Sequence, residues 1–198
     1  MQLLQERTFK MKKIVGLLLV VMLCGCFSSR ANFYQPVGVI DGNVSVKEFK
    51  DTVRISPILL PSIVARPQII TLGEEEYNLN VDEFNRWGGS VDKLIMQAVN
   101  DNLSYIFPNA MVVNQSGIRK NFKYDVLIEV KTLMGRLDEY AKLDAVYFIR
   151  DRNGKTIKSK NFYKANAFEG GYDEYVKTIS DMIGELSMTI ADDLALLK

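Results

Sequence analysis

The chain has 198 residues, a formal charge of +1 and no histidine. The missing histidine removes Ser-His-Asp and Cys-His nucleophile arrangements and the commonest metal ligand. No broad basic stripe supports nucleic-acid binding. Carboxylate pairs and a Ser-Lys dyad stay open, so the enzyme class is narrowed and not closed.

At the N-terminus, Lys12 and Lys13 form a positive region ahead of an uninterrupted apolar or glycine stretch, Ile14 to Leu23. Leu23-Cys24-Gly25-Cys26 follows. This resembles a lipobox, in which small residues before the cleavage point let the chain enter the signal peptidase cleft. The run from Ile14 to Phe27 spans 14 residues, short of the ~20 needed to cross a bilayer as a helix. Residues 1–25 therefore read as a signal peptide and Cys26 as the lipidated N-terminus, with an acyl and diacylglycerol modification and no other cofactor. Cys24 leaves with the signal, so lipidation also accounts for the odd cysteine that remains. Met11 is the expected start, since Met1–Lys10 adds nothing the signal needs. Phe27, rather than Asp, follows the cysteine, which resembles the sorting pattern of outer-membrane lipoproteins; the expected location is the periplasmic face of the outer membrane.

Residues 1–25 hold four basic residues and one acidic one. The 25 basic and 24 acidic residues of the whole chain thus become 21 and 23 over the remaining 173 residues. That length suits one domain. Residues 26–32 read as the lipidated cysteine and a short tether reaching roughly 20 Å, which would hold the domain against the membrane. Residues 33–198 read as a single α/β domain.

Phe33 to Pro36 suggests a first edge strand. Val53-Arg54-Ile55-Ser56 alternates and bends at Pro57, and Ile58 to Leu60 continues apolar. Arg66 to Thr71 is a short extended piece; Leu72-Gly73 turns it and Tyr77 to Val81 returns as a hairpin. Ser90 stands at the cap of a helix whose apolar face is Val91, Leu94, Ile95, Ala98, Val99, Leu103 and Ile106, broken once by Asn102. Pro108 stops it, and Ala110 to Val113 starts a strand. Tyr124–Leu133 and Lys142–Arg150 both alternate. Asp151-Arg152-Asn153-Gly154 is a hairpin turn containing the strong Asn-Gly pair, with Thr156–Ala167 as its return strand. Gly170-Gly171 breaks that strand, and a helix runs from about Asp173 to Leu196 with Tyr175, Ile179, Met182, Ile183, Leu186, Ile190 and Leu194 on its apolar face. The expected fold is α/β: a mixed sheet of four to five strands packed with two main helices.

Few constellations carry chemistry. Glu74-Glu75-Glu76 reads as a solvated turn. Asp192-Asp193 lies where the helix dipole disfavours acids, so it frames a salt bridge or faces water. Gly88-Gly89 and Gly170-Gly171 lack the pattern of a phosphate-cradling loop and read as turns. Trp87 is the sole tryptophan and carries two readings: a core or staple residue fixing the helix entry, or an interface anchor. Arg66-Pro67-Gln68 marks an exposed edge or a bulge, because proline breaks ordinary ladder pairing.

Three segments together carry a family resemblance: Ile55-Ser56-Pro57-Ile58-Leu59-Leu60-Pro61, Ala65-Arg66-Pro67-Gln68-Ile69-Ile70-Thr71 and Phe84-Asn85-Arg86-Trp87. Tyr124-Asp125-Val126, the Asp151–Gly154 hairpin and the helix from Tyr175 to Ala191 extend it over nearly all of the mature chain. The sequence resembles the PqiC (YmbA) family, the ABC-type transport auxiliary lipoprotein component; it departs at Gly88-Gly89-Ser90. The resemblance implies a fold similar to the TolB N-terminal domain and a non-catalytic role. It implies an outer-membrane lipoprotein that docks an MCE-domain periplasmic protein in lipid transport between membranes, and it allows a homo-oligomeric ring. Arg66, Pro67, Gln68, Arg86 and Trp87 become the candidate partner-binding residues. The competing expectation is an enzyme at the outer membrane, or a lipoprotein binding the cell wall or assembling an outer-membrane barrel.

Overall fold

The computed structural model describes residues 30–38, 46–75, 77–114 and 122–197. The signal peptide, Cys26 and most of the tether lie outside these residues, as does Glu76. From Ala31 onward the chain clusters as one compact unit. Its elements in order are β1 (Asn32–Tyr34), β2 (Thr52–Ile55), β3 (Gln68–Leu72), β4 (Leu79–Trp87), α1 (Val91–Ile106), β5 (Met111–Val113), β6 (Tyr124–Arg136), β7 (Tyr140–Asp151), β8 (Thr156–Ala167) and α2 (Tyr172–Ala195). β1 begins one residue inside the segment assigned to the tether.

The α/β class, the two helices and a five-stranded mixed sheet are as expected. A second sheet was not foreseen: three strands, ordered β1-β4-β3, stand apart from the five ordered β5-β2-β6-β7-β8. In the large sheet, β2 runs parallel to both β5 and β6, while β6, β7 and β8 form an antiparallel meander. In β7 every second residue from Ala141 to Ile149 is buried, the period-2 signature of a strand with one face on the core. Opposite that face lie Ile95, Val99 and Leu103 of α1 and Ile179, Met182, Ile183, Leu186 and Ile190 of α2, all within one hydrophobic cluster.

Two turns fix the meander. A Cβ on Gly135 would lie 2.0 Å from the Tyr140 carbonyl oxygen, so no other residue fits the β6–β7 crossing. Gly154 has φ +82°, the left-handed conformation the Asn-Gly turn requires. Ser90 occupies the N-cap position of α1, but its hydroxyl meets Asp92 and does not cap the backbone. Asn102, the polar break in the α1 face, is buried and donates Nδ2 to Ser187 Oγ of α2 at 3.2 Å. Asp192 pairs with Lys47. Asp193 accepts the Tyr147 hydroxyl and lies 3.5 Å from Lys158. The acids near the end of α2 thus tie it to the large sheet and to the segment before β2.

Candidate docking surface

The small sheet brings together the two candidate segments. Gln68 pairs with Arg86 across β3 and β4, and the Trp87 N–H donates to the Pro67 carbonyl at 2.7 Å. On the other side of β4, Phe33 pairs with Arg86 and Tyr34 with Trp87. Arg66 and Pro67 are exposed, Gln68 and Arg86 are half-buried, and Trp87 is only 6% exposed. The indole sits in the main hydrophobic cluster, near Ile63, Val64, Ile70 and Leu133. Of the two readings of Trp87, its burial is that of a core residue, and it lies at the end of a strand, not in a loop. The other four residues occupy the surface above it.

The β3–β4 register shifts between Gln68 and Ile69, as proline beside a ladder anticipates. Glu83, Phe84 and Asn85 therefore have no partner in β3. Asp82 organises this bulge. Its carboxylate accepts the Phe84 N–H at 2.7 Å, the Asn85 N–H at 3.0 Å, Asn85 Nδ2 at 2.9 Å and the Tyr172 hydroxyl at 2.9 Å. Partial burial acts to raise the Asp82 carboxyl, but these hydrogen bonds outweigh it and hold the group below its usual 3.8. The Tyr172 hydroxyl is pushed well up, first by burial and then by Asp82, so it stays a donor. That bond fastens the small sheet to the first turn of α2. Arg136, donating Nε to the Gly73 carbonyl at 2.9 Å, fastens it to β6.

Beyond the bulge the strand turns its apolar side outward. Leu79, Val81 and Phe84 are exposed, Phe84 by 50%, and Phe33 on β1 by 67%. β1 pairs only with Asn85 to Trp87. Among the described residues, no strand covers Leu79 to Phe84 on the β1 side. An open hollow of ≈ 540 Å³ lies along this stretch beside Asp82, Leu137 and Tyr172. An uncovered edge with exposed apolar side chains is a template for strand addition or apolar docking. The sequence ends the return strand at Val81, six residues short of Trp87, and does not mark Leu79, Val81 or Phe84 as partner-binding residues. The alternation of Leu79 and Val81 was its visible signal.

A second constellation lies on the large sheet. Asp125, 3% exposed at its side chain, accepts Arg54 Nε at 2.7 Å, Ser56 Oγ at 2.8 Å and Arg150 Nε at 3.0 Å, and also bonds the Arg150 terminal nitrogen. Burial alone would raise its carboxyl; the three donors together hold it below 3.8. No histidine, cysteine, aspartate or glutamate grouping among the described residues is arranged to hold a metal ion. No helix among them is long and apolar enough to cross a membrane.

The model of the family described as ABC-type transport auxiliary lipoprotein component matches residues 41–191. No curated protein matches the sequence. One solved chain, described as an uncharacterized protein, is 17% identical and superposes with a TM-score of 0.65, covering 76% of this chain and 99% of its own. A Xanthomonas campestris protein labelled with the family DUF330 is 11% identical with a TM-score of 0.67, covering 80% of this chain and 92% of its own. The PelC dodecamer of Paraburkholderia phytofirmans is 11% identical, with a TM-score of 0.43 over 72% of this chain and 91% of that one.

Proposed function

This chain belongs to the ABC-type transport auxiliary lipoprotein component family, and from that premise we propose that it is a non-catalytic docking component of an MCE-type lipid transport system. In this reading Cys26 anchors it to the periplasmic face of the outer membrane, and the small sheet receives the MCE-domain partner. The observation that carries the reading is the uncovered β4 stretch with Leu79, Val81 and Phe84 exposed. Arg66, Gln68 and Arg86 would form its polar margin, and Trp87 would hold that margin rigid from beneath.

Titration of the full chain in uncharged detergent micelles with the MCE-domain protein of the same transport system tests the docking surface. Phe84→Asp and Val81→Lys should each weaken binding about thirtyfold or more, the range of interface hot spots, with native melting. Undiminished binding in both variants would overturn the assignment. For the anchor, Cys26→Ala should leave an unprocessed precursor or a periplasmic protein free of the outer-membrane fraction. Normal processing and acylation of that variant would refute it. The purified protein should turn over neither lipid esters nor glycan strands. A turnover abolished by one carboxylate substitution would refute the non-catalytic reading.

A further inference from the structure

Independently of the docking surface, the cluster around Asp125 has the build of an anion receptor. β2, β6 and β7 lie side by side in register, so that Arg54 pairs with Asp125 and Asp125 with Arg150. Paired residues point to one face of a sheet. Val53, Ile55, Tyr124, Val126 and Ile149, the sequence neighbours of this row, are buried in the core beneath the helices. The Arg-Asp-Arg row therefore faces away from the helices.

Here one carboxylate serves two guanidinium groups. The carboxylate is 3% exposed, whereas Arg54 and Arg150 keep 26% and 27% of their side-chain surface. Asp125 occupies only Nε of Arg54, and no hydrogen bond to a described residue uses either terminal nitrogen of that side chain. The Arg54 guanidinium lies over the Phe122 ring, its Cζ 3.9 Å from the centroid. Such stacking fixes an arginine plane while leaving its donors available. These groups border an open hollow of ≈ 490 Å³, with Arg152 on the rim. Asp151 also borders it, but its Oδ1 is engaged by the N–H groups of Asn153 and Lys155 in the hairpin turn. Three arginines against two aspartates leave the hollow net positive.

We infer that this hollow binds a phosphate group, with the two terminal nitrogens of Arg54 as the forked donor, the remaining terminal nitrogen of Arg150 as a second donor beside its bonds to Asp125 and Ser56, Arg152 as a third cation and Asp125 as the positioning residue that holds the first two. Phosphate oxygens match the guanidinium fork in spacing and charge. The phosphate could belong to a small soluble ester or to a lipid headgroup. The next row on the same face, Leu127 and Phe148, is half-buried and apolar, so a ligand with an apolar part gains contact there.

The test is calorimetric titration of the full chain in dodecyl maltoside micelles with glycerol 3-phosphate and, separately, with dihexanoyl phosphatidylglycerol, using dihexanoyl phosphatidylcholine as the zwitterionic comparison. Saturable binding is expected for both anions, tighter for phosphatidylglycerol. Arg152 makes no hydrogen bond or ion pair with a described residue, so Arg152→Gln should weaken binding about tenfold with unchanged melting. Arg54→Lys keeps a charge for Asp125 but loses the fork, and should weaken it as much. Binding of phosphatidylglycerol alone would assign the site to a lipid headgroup; binding of both assigns it to the phosphate itself. No saturable binding of either anion, equal binding of phosphatidylcholine, or full affinity in both variants would overturn the inference.

Discussion

The two sheets use the same alphabet to opposite ends. In the large sheet, β7 alternates buried and half-buried residues from Tyr140 to Arg150, and β6 alternates from Val126 onward with one break at the bulge before Thr132; both helices cover the apolar face. Of its two outer strands, β5 is only three residues long, and β8 is exposed but carries Lys158, Lys160 and Lys164; a short strand and a charged edge both discourage another strand from pairing. In the small sheet, β4 tucks the polar Asp82 against Tyr172 and leaves Leu79, Val81 and Phe84 in solvent, with no lysine along the strand. On the proposed reading, the sheet with the lysine-bearing edge holds most of the core, and the one with the open edge receives the protein partner. The difference is one of register: Asp82 selects which face of β4 turns inward.

The contrast can be broken at graded cost. The largest effect is expected for Asp125→Ala, which leaves two guanidinium groups without their counter-ion. It should lower unfolding stability by about 3–4 kcal/mol in a denaturant titration, near the cost of halving a buried ion pair. Because the folded carboxyl titrates below 3.8, its contribution is present above that pH and is lost as pH falls through the depressed value. Stability of the parent should therefore drop in acid below about pH 4, and less steeply in this variant.

Trp87→Ala should cost about 3 kcal/mol, the range for emptying a buried tryptophan site, and would unseat the small sheet. A melting curve near the parent's would show that the indole is not the tie between that sheet and the core. Tyr147→Phe keeps the ring and deletes one hydrogen bond to Asp193, which retains Lys158; about 1–2 kcal/mol is expected. Burial and Asp193 raise the Tyr147 hydroxyl above its usual 10.0. The unfolded chain then releases this proton first, so stability should fall as pH rises beyond 10, less so in the phenylalanine variant. Smallest of all, Leu79→Ser and Val81→Ser should change melting by no more than about 0.5 kcal/mol. A larger loss would show that this face is packed and not open.

The large sheet was legible because its signals are local. The Asn-Gly turn set the β7–β8 hairpin, and the 3.6-residue spacing set both helices to within a residue at each start. β4 was cut short because Asp82-Glu83-Phe84-Asn85-Arg86 reads as a polar loop. What keeps that run in a strand is a bulge whose hydrogen bonds come from Asp82 itself and from Tyr172, ninety positions away. The Arg-Asp-Arg row was invisible for a related reason. Each member sits alone in its own strand, and only the pairing of β2 with β6 and of β6 with β7 aligns them. An aspartate between Tyr124 and Val126 was the single hint. Trp87 could not be assigned from sequence, since burial depends on β3 and β6 closing over it.

The placement of β2 has a bearing on how the chain acquires its shape. This strand enters the large sheet between β5 and β6, and its polar anchor, Asp125, lies 71 residues beyond Arg54. Neither neighbour exists until more than half of the polypeptide has been made. Non-local parallel pairings of this kind close slowly, so β2 has no strand to join while the small sheet, built wholly from residues 32–87, already has all of its own. Commitment waits for the β6–β7 meander, which can form on its own from adjacent residues and then capture β2. The strand order thus makes β2 the late-fitted piece of the large sheet, joined only once the second half of the chain is present.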